Sequence, residues 1–338
     1  MMDGARVEED GLHCDEFHCM CHEFVRVTEA AALAAGRWMG KGDGPAAEEA
    51  ARAAMHDAFR FVPIEGTIVV GEGEDREVGP LAVGNVVGFG GRACDIALTA
   101  LEGANIVARG QAGAIAAVAA GAPGSIMRAP DMYMQKIVVG SPAVGRVDIE
   151  APVEDTVQAI ADAHGLKTGE LTVIVLDRPR HDDLVAILRK AGARIKLIPD
   201  GDVMAGIATA VRGTGDHAYI GIGGAPEGIM TAAAMRCLGG EIVAKFWPLS
   251  RSEIARARSY GIEDIEARLH TNDMVRGHLV LAATGVTNGD VLRGVQYQPG
   301  GARTQTVIMC TKCRQIRYVN TVHDLSDTGE RVDFWRIT

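Results

Sequence analysis

Apolar side chains recur at helical spacing through Val27, Ala31, Leu33, Ala34 and Trp38, and the run stops at Gly40 and Gly42, so a helix is expected there. A second helix is expected to start at Pro45, where a missing N–H does no harm, and to reach about residue 59. Residues 67–70 read as a buried strand closed by the turn Gly71-Glu72-Gly73-Glu74, and short apolar runs at 96–98 and 114–118 extend a glycine-rich, sheet-rich first half. The second half alternates. Strand patterns at 171–176, 194–198 and 218–222 are followed by helical patterns at 182–191, 203–211 and 228–238, which predicts βαβ units and a parallel sheet. A charged helical excursion covers 248–268, the sheet resumes at 279–283, and strands at 304–309 and 314–320 meet at Cys310-Thr311-Lys312-Cys313. No internal repeat is found. An α/β chain in three parts is expected: a Cys/His-rich extension over 1–22, a first domain over 23–165 and a second over 166–338, with the boundary inside 150–168.

Composition narrows the class of partner. With 338 residues and 47% apolar content the chain can bury a full core, which excludes a disordered or collagen-like protein. A net charge of -10 repels polyanionic duplexes, and no basic stretch interleaved with aromatics offsets it, so nucleic acid is excluded as a partner. No run of eighteen apolar residues exists and the acidic start lacks a signal-peptide layout, so a cytoplasmic protein without membrane contact is expected. Seven cysteines in a reducing compartment read as thiols or metal ligands before a disulfide framework.

Ligands of open α/β sheets bind beyond the carboxyl ends of strands, so candidate chemistry is sought in the loops after each strand. The first of these, Asp177-Arg178-Pro179-Arg180-His181-Asp182, sets two guanidinium forks and an imidazole at a helix start, a match for phosphate. In the second, Pro199-Asp200-Gly201-Asp202, carboxylates can accept sugar hydroxyls, and the third, Gly223-Gly224-Ala225-Pro226-Glu227-Gly228, offers backbone N–H groups beside one carboxylate. Any one such loop alone is more often a turn and a helix cap. Three in succession with complementary groups favour a phosphosugar site.

The same segments carry a family resemblance. Val27-Thr28-Glu29-Ala30-Ala31-Ala32-Leu33, Gly66-Thr67-Ile68-Val69-Val70-Gly71-Glu72-Gly73-Glu74, Ala129-Pro130-Asp131-Met132-Tyr133-Met134, Arg178-Pro179-Arg180-His181-Asp182, Pro199-Asp200-Gly201-Asp202-Val203 and Gly221-Ile222-Gly223-Gly224-Ala225-Pro226-Glu227-Gly228 resemble the signatures of class II fructose-1,6-bisphosphatases, in the family's order, over residues 23–325. The resemblance implies the layered αβαβα sugar-phosphatase fold shared with inositol phosphatases, in two domains, and a homodimer or homotetramer. It implies that Tyr133, Arg178, Arg180, Asp200 and Asp202, with His181 and Gly224 in the same loops, hold a sugar and its retained phosphate. Glu48, Glu72 and Glu102 are then the catalytic acids, and Glu72, Glu102 and Glu227 hold Mg2+ or Mn2+.

Part of the catalytic pattern departs from the family. The motif Asp-Pro-Ile-Glu-Gly-Thr is matched here by Thr99-Ala100-Leu101-Glu102-Gly103-Ala104, so the bridging aspartate is Thr99 and the catalytic threonine Ala104. Upstream, Gly44 replaces a lysine, Glu48 lengthens an acid, and Arg76 replaces an aspartate between Asp75 and Glu77. A guanidinium within a few ångströms of a two-metal cluster costs several kcal/mol at moderate effective dielectric, so the full cluster is not expected, whereas one ion is. Two readings stay open: a phosphatase with an altered cluster acting on an unusual phosphosugar, or a phosphosugar-converting or regulatory protein that no longer hydrolyses.

The remaining chemistry is sulfur. His13, Cys14, His18, Cys19, Cys21 and His22 crowd the start, and in a helix Cys14, His18, Cys21 and His22 would share a face. Cys310 and Cys313 flank a two-residue turn, as in a zinc knuckle. Together they suggest a Zn2+ or iron site; the alternatives are a tail without structure and an ordinary pair of edge thiols or a local disulfide. Cys94 and Cys237 read as core residues.

Overall fold

The structure is a computed structural model, and it describes residues 14–15, 18–73 and 79–326. The first described elements are a small hairpin, β1 (Cys14–Asp15) and β2 (His18–Cys19), and two helices, α1 (Cys21–Gly36) and α2 (Gly44–Phe59). Asp43 caps α2 by accepting from the Ala46 N–H at 3.0 Å, with Pro45 in the first turn as expected. There follow β3 (Ile64–Val70), β4 (Val86–Val87), β5 (Arg92–Glu102), α3 (Ala104–Arg109), β6 (Ile115–Gly121) and β7 (Tyr133–Val139). The next elements are α4 (Val153–His164), β8 (Thr172–Leu176), α5 (Asp182–Lys190), β9 (Arg194–Ile198), α6 (Asp202–Ala210), β10 (Ala218–Gly224), α7 (Ala225–Leu238) and β11 (Glu241–Phe246). The last described elements are α8 (Arg251–Ser259), β12 (Leu269–His270), α9 (Thr271–Met274), β13 (Leu279–Gly285), β14 (Gln296–Gln298), β15 (Gly301–Cys310) and β16 (Gln315–Asp324).

Two larger sheets result. One runs β14-β15-β13-β6-β5-β3-β4 with β16 on β15, the other β12-β11-β7-β10-β8-β9. Strand alternation sorts the side chains into layers. On β6, Ala116, Val118 and Ala120 face α1 and α2, meeting Phe24, Val27 and Met55. Ile115, Ala117 and Ala119 face the other way, onto a core shared with α6 and α7 through Val203, Ile207, Ile229 and Ala232. That core continues to one face of the second sheet, at Met134, Val138, Ile174 and Tyr219. The far face, with Ile137, Val173, Val175 and Ile220, is covered by Val157 and Ile160 of α4 and Val185 and Leu188 of α5. The order helix, sheet, helix, sheet, helix is the expected αβαβα architecture.

Two expectations need correction. The second sheet is parallel only where β8 pairs with β9 and with β10, because β7 inserts antiparallel between β10 and β11. A chain break near 165 also does not divide the sheets: β7 joins the second, while β13, β14, β15 and β16 return to the first. Alternation along one strand says which face is buried but not which distant strand completes the ladder, so sequence order was a poor guide to sheet membership.

Candidate active site

Because β3 and β5 are parallel neighbours, their carboxyl ends deliver Glu72 and Glu102 to one edge of the first sheet. Glu72 accepts the Ala100 N–H at 2.6 Å. Burial raises its carboxyl above the ordinary range, against the opposing pull of the Ala100 amide and the Arg52 guanidinium. Glu102 ends β5 and accepts the Val203 N–H at 2.8 Å through Oε1, while its buried Oε2 has no partner among the described residues. Burial first, then the charges of Asp202, Glu227 and Asp200, push Glu102 well above its usual value. Glu227, on the first turn of α7, is raised to about 7 by burial, with Lys136 opposing. Glu48, Arg52, Glu72, Thr99, Asp131 and Glu227 line a cavity of about 380 Å³ between these elements.

Glu48 is not a bare ligand. Its Oε1 accepts from Arg52 Nη2 at 2.8 Å, four residues along α2, and Arg52 Nη1 reaches Glu49 at 2.8 Å. Two of the positions that depart from the family pattern also meet: a Cβ on Gly44 would lie 3.2 Å from the Ala104 carbonyl oxygen and 3.6 Å from the Ala104 methyl. Arg76 and its neighbours Asp75 and Glu77 lie outside the described residues.

The loops of the second sheet line cavities of their own: Arg180 and His181 line one with Gln135, Ile149 and Trp247, Asp200 lines another with Lys196 and Asp290, and neither set lines the carboxylate cavity. Arg180 donates through Nε and Nη2 to the Ile222 carbonyl at 3.0 and 2.7 Å and stacks 4.7 Å over the Tyr133 ring. Tyr133 pairs with Gly224 across β7 and β10, which brings this guanidinium to the strand end from which Glu227 follows. Arg178 Nη1 donates to the Asp177 carbonyl, and its charge acts on Asp200. Asp202 is buried and engaged within the protein: its Oδ2 accepts from Lys136 Nζ at 2.6 Å and from the Tyr219 hydroxyl at 3.1 Å. Lys136 also donates to the Gly224 carbonyl at 3.0 Å. The glycines here lie against carboxylates that any side chain would have to displace. A Cβ on Gly223 would fall 1.7 Å from Asp202 Oδ2, and one on Gly224 would fall 1.9 Å from Glu227 Oε2.

His181 departs from its expected role as a ligand donor. The ring is 2% exposed, its Nδ1 donates to the Leu176 carbonyl at 2.8 Å, and its Nε2 accepts the Ile222 N–H at 2.7 Å. Both nitrogens are used by backbone, and burial lowers the pKa of the ring. Its work is to lock the arginine loop onto β10.

The cysteine groups divide. Cys21, Cys310 and Cys313 bring their sulfurs within 4.8 Å of one another. Cys310 is held well below the usual thiol range, first by the Cys21 thiol and then, against burial, by the Cys313 and Lys312 groups of the turn. The helical face expected for Cys14, His18, Cys21 and His22 does not form, because the hairpin β1–β2 precedes a helix that starts only at Cys21. His22 is exposed beside buried Cys21. The side chains of Cys14 and His18 lie outside the described residues. Burial pushes Cys94 and Cys237 up to about 12, in keeping with core thiols.

Three residues of the site were missed in the sequence. Lys136 sits in the apolar run of β7, and a lysine on a buried strand is itself a signal of a buried partner. Arg52 stands at the fourth place after Glu48, which helical spacing alone could have paired. Tyr219 carried no such mark.

The pattern of the family described as bacterial fructose-1,6-bisphosphatase, glpX-encoded, matches residues 18–323. The chain is 40% identical over 329 residues to the D-fructose 1,6-bisphosphatase class 2/sedoheptulose 1,7-bisphosphatase of Synechococcus sp. (strain JA-3-3Ab), across 89% of this chain and 94% of the relative. It is 40% identical over 320 residues to the fructose-1,6-bisphosphatase class 2 of Haemophilus influenzae, across 90% and 96%. With the fructose-1,6-bisphosphatase 1 class 2 of Escherichia coli (strain K12) the figure is 41% over 318 residues, across 90% and 94%.

Proposed function

The chain belongs to the bacterial, glpX-encoded fructose-1,6-bisphosphatase family, and from that premise we propose that this phosphoric monoester hydrolase removes one phosphate from a ketose bisphosphate with a single Mg2+ or Mn2+ held by Glu72, Glu102 and Glu227. Fructose 1,6-bisphosphate and sedoheptulose 1,7-bisphosphate, named for the relatives, are the substrates to try first. The observation that carries the reading is Glu102 Oε2, a buried oxygen without a partner among the described residues, beside the charges of Asp202 and Glu227. Buried carboxylates that raise one another's pKa hold protons or a cation, and an all-oxygen donor set suits a hard divalent ion; binding one requires the three side chains to draw closer, since among the described residues only the Cys21, Cys310 and Cys313 sulfurs stand within 4.8 Å of one another. When bound, such an ion supplies a Lewis acid for the phosphoryl oxygen and a water of lowered pKa.

The chain's own residues do the rest. Arg178 and Arg180 grip the phosphate that stays on the product, with Tyr133 and the Ile222 carbonyl fixing the Arg180 fork in place. Asp200 and Asp202 orient sugar hydroxyls, and Lys136 holds Asp202 at its post. Arg52, fixed on Glu48, is a resident positive charge in the cleft, so Glu48 serves by aiming a guanidinium at the departing phosphate in place of a second ion. The Thr99 hydroxyl lines the cleft where the family carries the bridging aspartate. The non-hydrolytic reading gains no support from the three relatives compared, each of which is named as a bisphosphatase.

No helix among the described residues is long and apolar enough to cross a membrane. A cytoplasmic place and a homodimer or homotetramer belong to the same proposal, the first on composition and the second on the resemblance; light scattering on the purified chain tests the assembly. The activity is tested by following inorganic phosphate from both bisphosphates with Mg2+ or Mn2+. Release of one phosphate per sugar is expected; none from either substrate, at any concentration of either ion, would refute it.

A further inference from the structure

The thiols of Cys21, Cys310 and Cys313 take no part in the hydrolytic cleft. Cys21 is the first residue of α1, Cys310 the last of β15, and Cys313 stands in the turn to β16, so nearly the whole chain separates the first from the other two. Cys21 is 2% exposed and Cys310 7%, within the core that α1 and α2 form on the first sheet, and Cys313 packs against its edge. Their sulfurs lie within 4.8 Å of one another. A tetrahedral zinc with bonds of about 2.3 Å holds its sulfurs about 3.8 Å apart, so the three need to close by no more than roughly 1 Å. The backbone of the turn suits a metal-bound thiolate, since the Cys313 N–H points at Cys310 Sγ at 3.4 Å and Arg314 holds a left-handed φ of 52°. An amide aimed at a sulfur favours the thiolate that metals require.

The site is remote from the carboxylates. Cys310 lies opposite Val280, Val280 opposite Ala120 and Ala120 opposite Ile96, whereas Glu102 ends that same strand β5. At ~3.3 Å per residue and ~4.8 Å per strand, the two centres stand on the order of 20 Å apart.

We propose that Cys21, Cys310 and Cys313 bind a structural Zn2+ that clips α1 to the β15–β16 turn, each thiol releasing its proton to solvent as it coordinates. The β1–β2 hairpin runs into Cys21 and carries Cys14 and Cys19 as cross-strand partners, and this backbone placement makes a hairpin cysteine the candidate for the fourth position.

Untagged full-length protein, purified without chelators, is analysed for metals and then reloaded with Co2+, whose thiolate complexes give a sulfur-to-metal absorption that carboxylates do not. The wild type is expected to hold one equivalent of zinc and to show the cobalt band. Cys310→Ser and Cys313→Ser lose both, while Glu102→Gln, altered only in the cleft, keeps both. Should Cys310→Ser fail to fold, Cys313→Ser decides, with Cys94→Ser as the control for loss of a core thiol. A wild type without the band, zinc unchanged in the cysteine variants, or stoichiometric iron in its place overturns the assignment.

Discussion

An ammonium with 1% of its surface exposed persists in a fold only where a carboxylate meets it, and Asp202 meets Lys136 at 2.6 Å. Lys136→Met leaves the Asp202 charge buried and unbalanced, so a loss of about 3–5 kcal/mol in urea unfolding is expected. Adding Asp202→Asn should restore part of it, whereas two independent losses that simply add would show that the pair does not act as one. Thr99 and Ala104 stand where the family carries an aspartate and a threonine, and Thr99 faces the cleft. Thr99→Asp adds a hard ligand beside Glu72 and Glu227, so half-saturation of activity at a lower Mg2+ concentration is expected in kinetic titrations. At this scale the sequence was readable where residues belong to a linear motif. It was least readable for Lys136 and Tyr219, whose roles exist only because β7 and β10 pair, and it misassigned His181, whose ring nitrogens are taken by carbonyl and amide groups that no side-chain pattern reveals.

At the scale of elements, the β10–α7 junction shows why the glycine loop is built as it is. Gly223 and Gly224 lie against the carboxylates of Asp202 and Glu227, so a methyl at Gly223 must displace Asp202 from Lys136. Gly223→Ala is expected to lose roughly 1–3 kcal/mol or more in thermal or urea unfolding. Wild-type stability in that variant would show that the carboxylate can move freely. Arg180 is held by Tyr133 and by the Ile222 carbonyl, so Arg180→Ala should raise KM for the bisphosphate far more than it lowers kcat, if its role is to grip the phosphate that stays. Periodicity and punctuation found α2, α5, α6, α7, β8, β9 and β10 close to their bounds: α2 and α5 bury one stripe, whereas α6, α7, β8 and β10 are apolar runs buried on more than one side and set off by polar or glycine-containing loops. The β1–β2 hairpin was invisible to it: strands of two residues carry no alternation.

Across the whole molecule, five layers stack two sheets, with Glu48, Glu72 and Glu227 around one cavity and Arg180 on another. The layered fold followed from the family motifs, but the return of β13, β14, β15 and β16 to the first sheet did not, since partner choice between distant strands is set by the assembled core. The cleft makes stability depend on pH. Glu227 is raised from 4.5 to about 7, and Glu72 and Glu102 shift in the same direction. Such a group binds more protons folded than unfolded, so its stabilisation is full below pH 4.5 and is lost as pH rises through about 7. Metal-free protein should therefore melt lower at pH 8 than at pH 6, and saturating Mg2+ should remove most of the difference. A metal-free melting curve independent of pH over that range would contradict the cluster.

The proposed chemistry rests on one cation held by Glu102 and its neighbours, and Mn2+ binding measured by electron paramagnetic resonance, in wild type and in Glu102→Gln alongside phosphate release, tests it most directly. One tightly bound Mn2+ in the wild type, with binding and release lost together in Glu102→Gln, is the expected result. A Glu102→Gln protein that binds Mn2+ and releases phosphate like the wild type would contradict it.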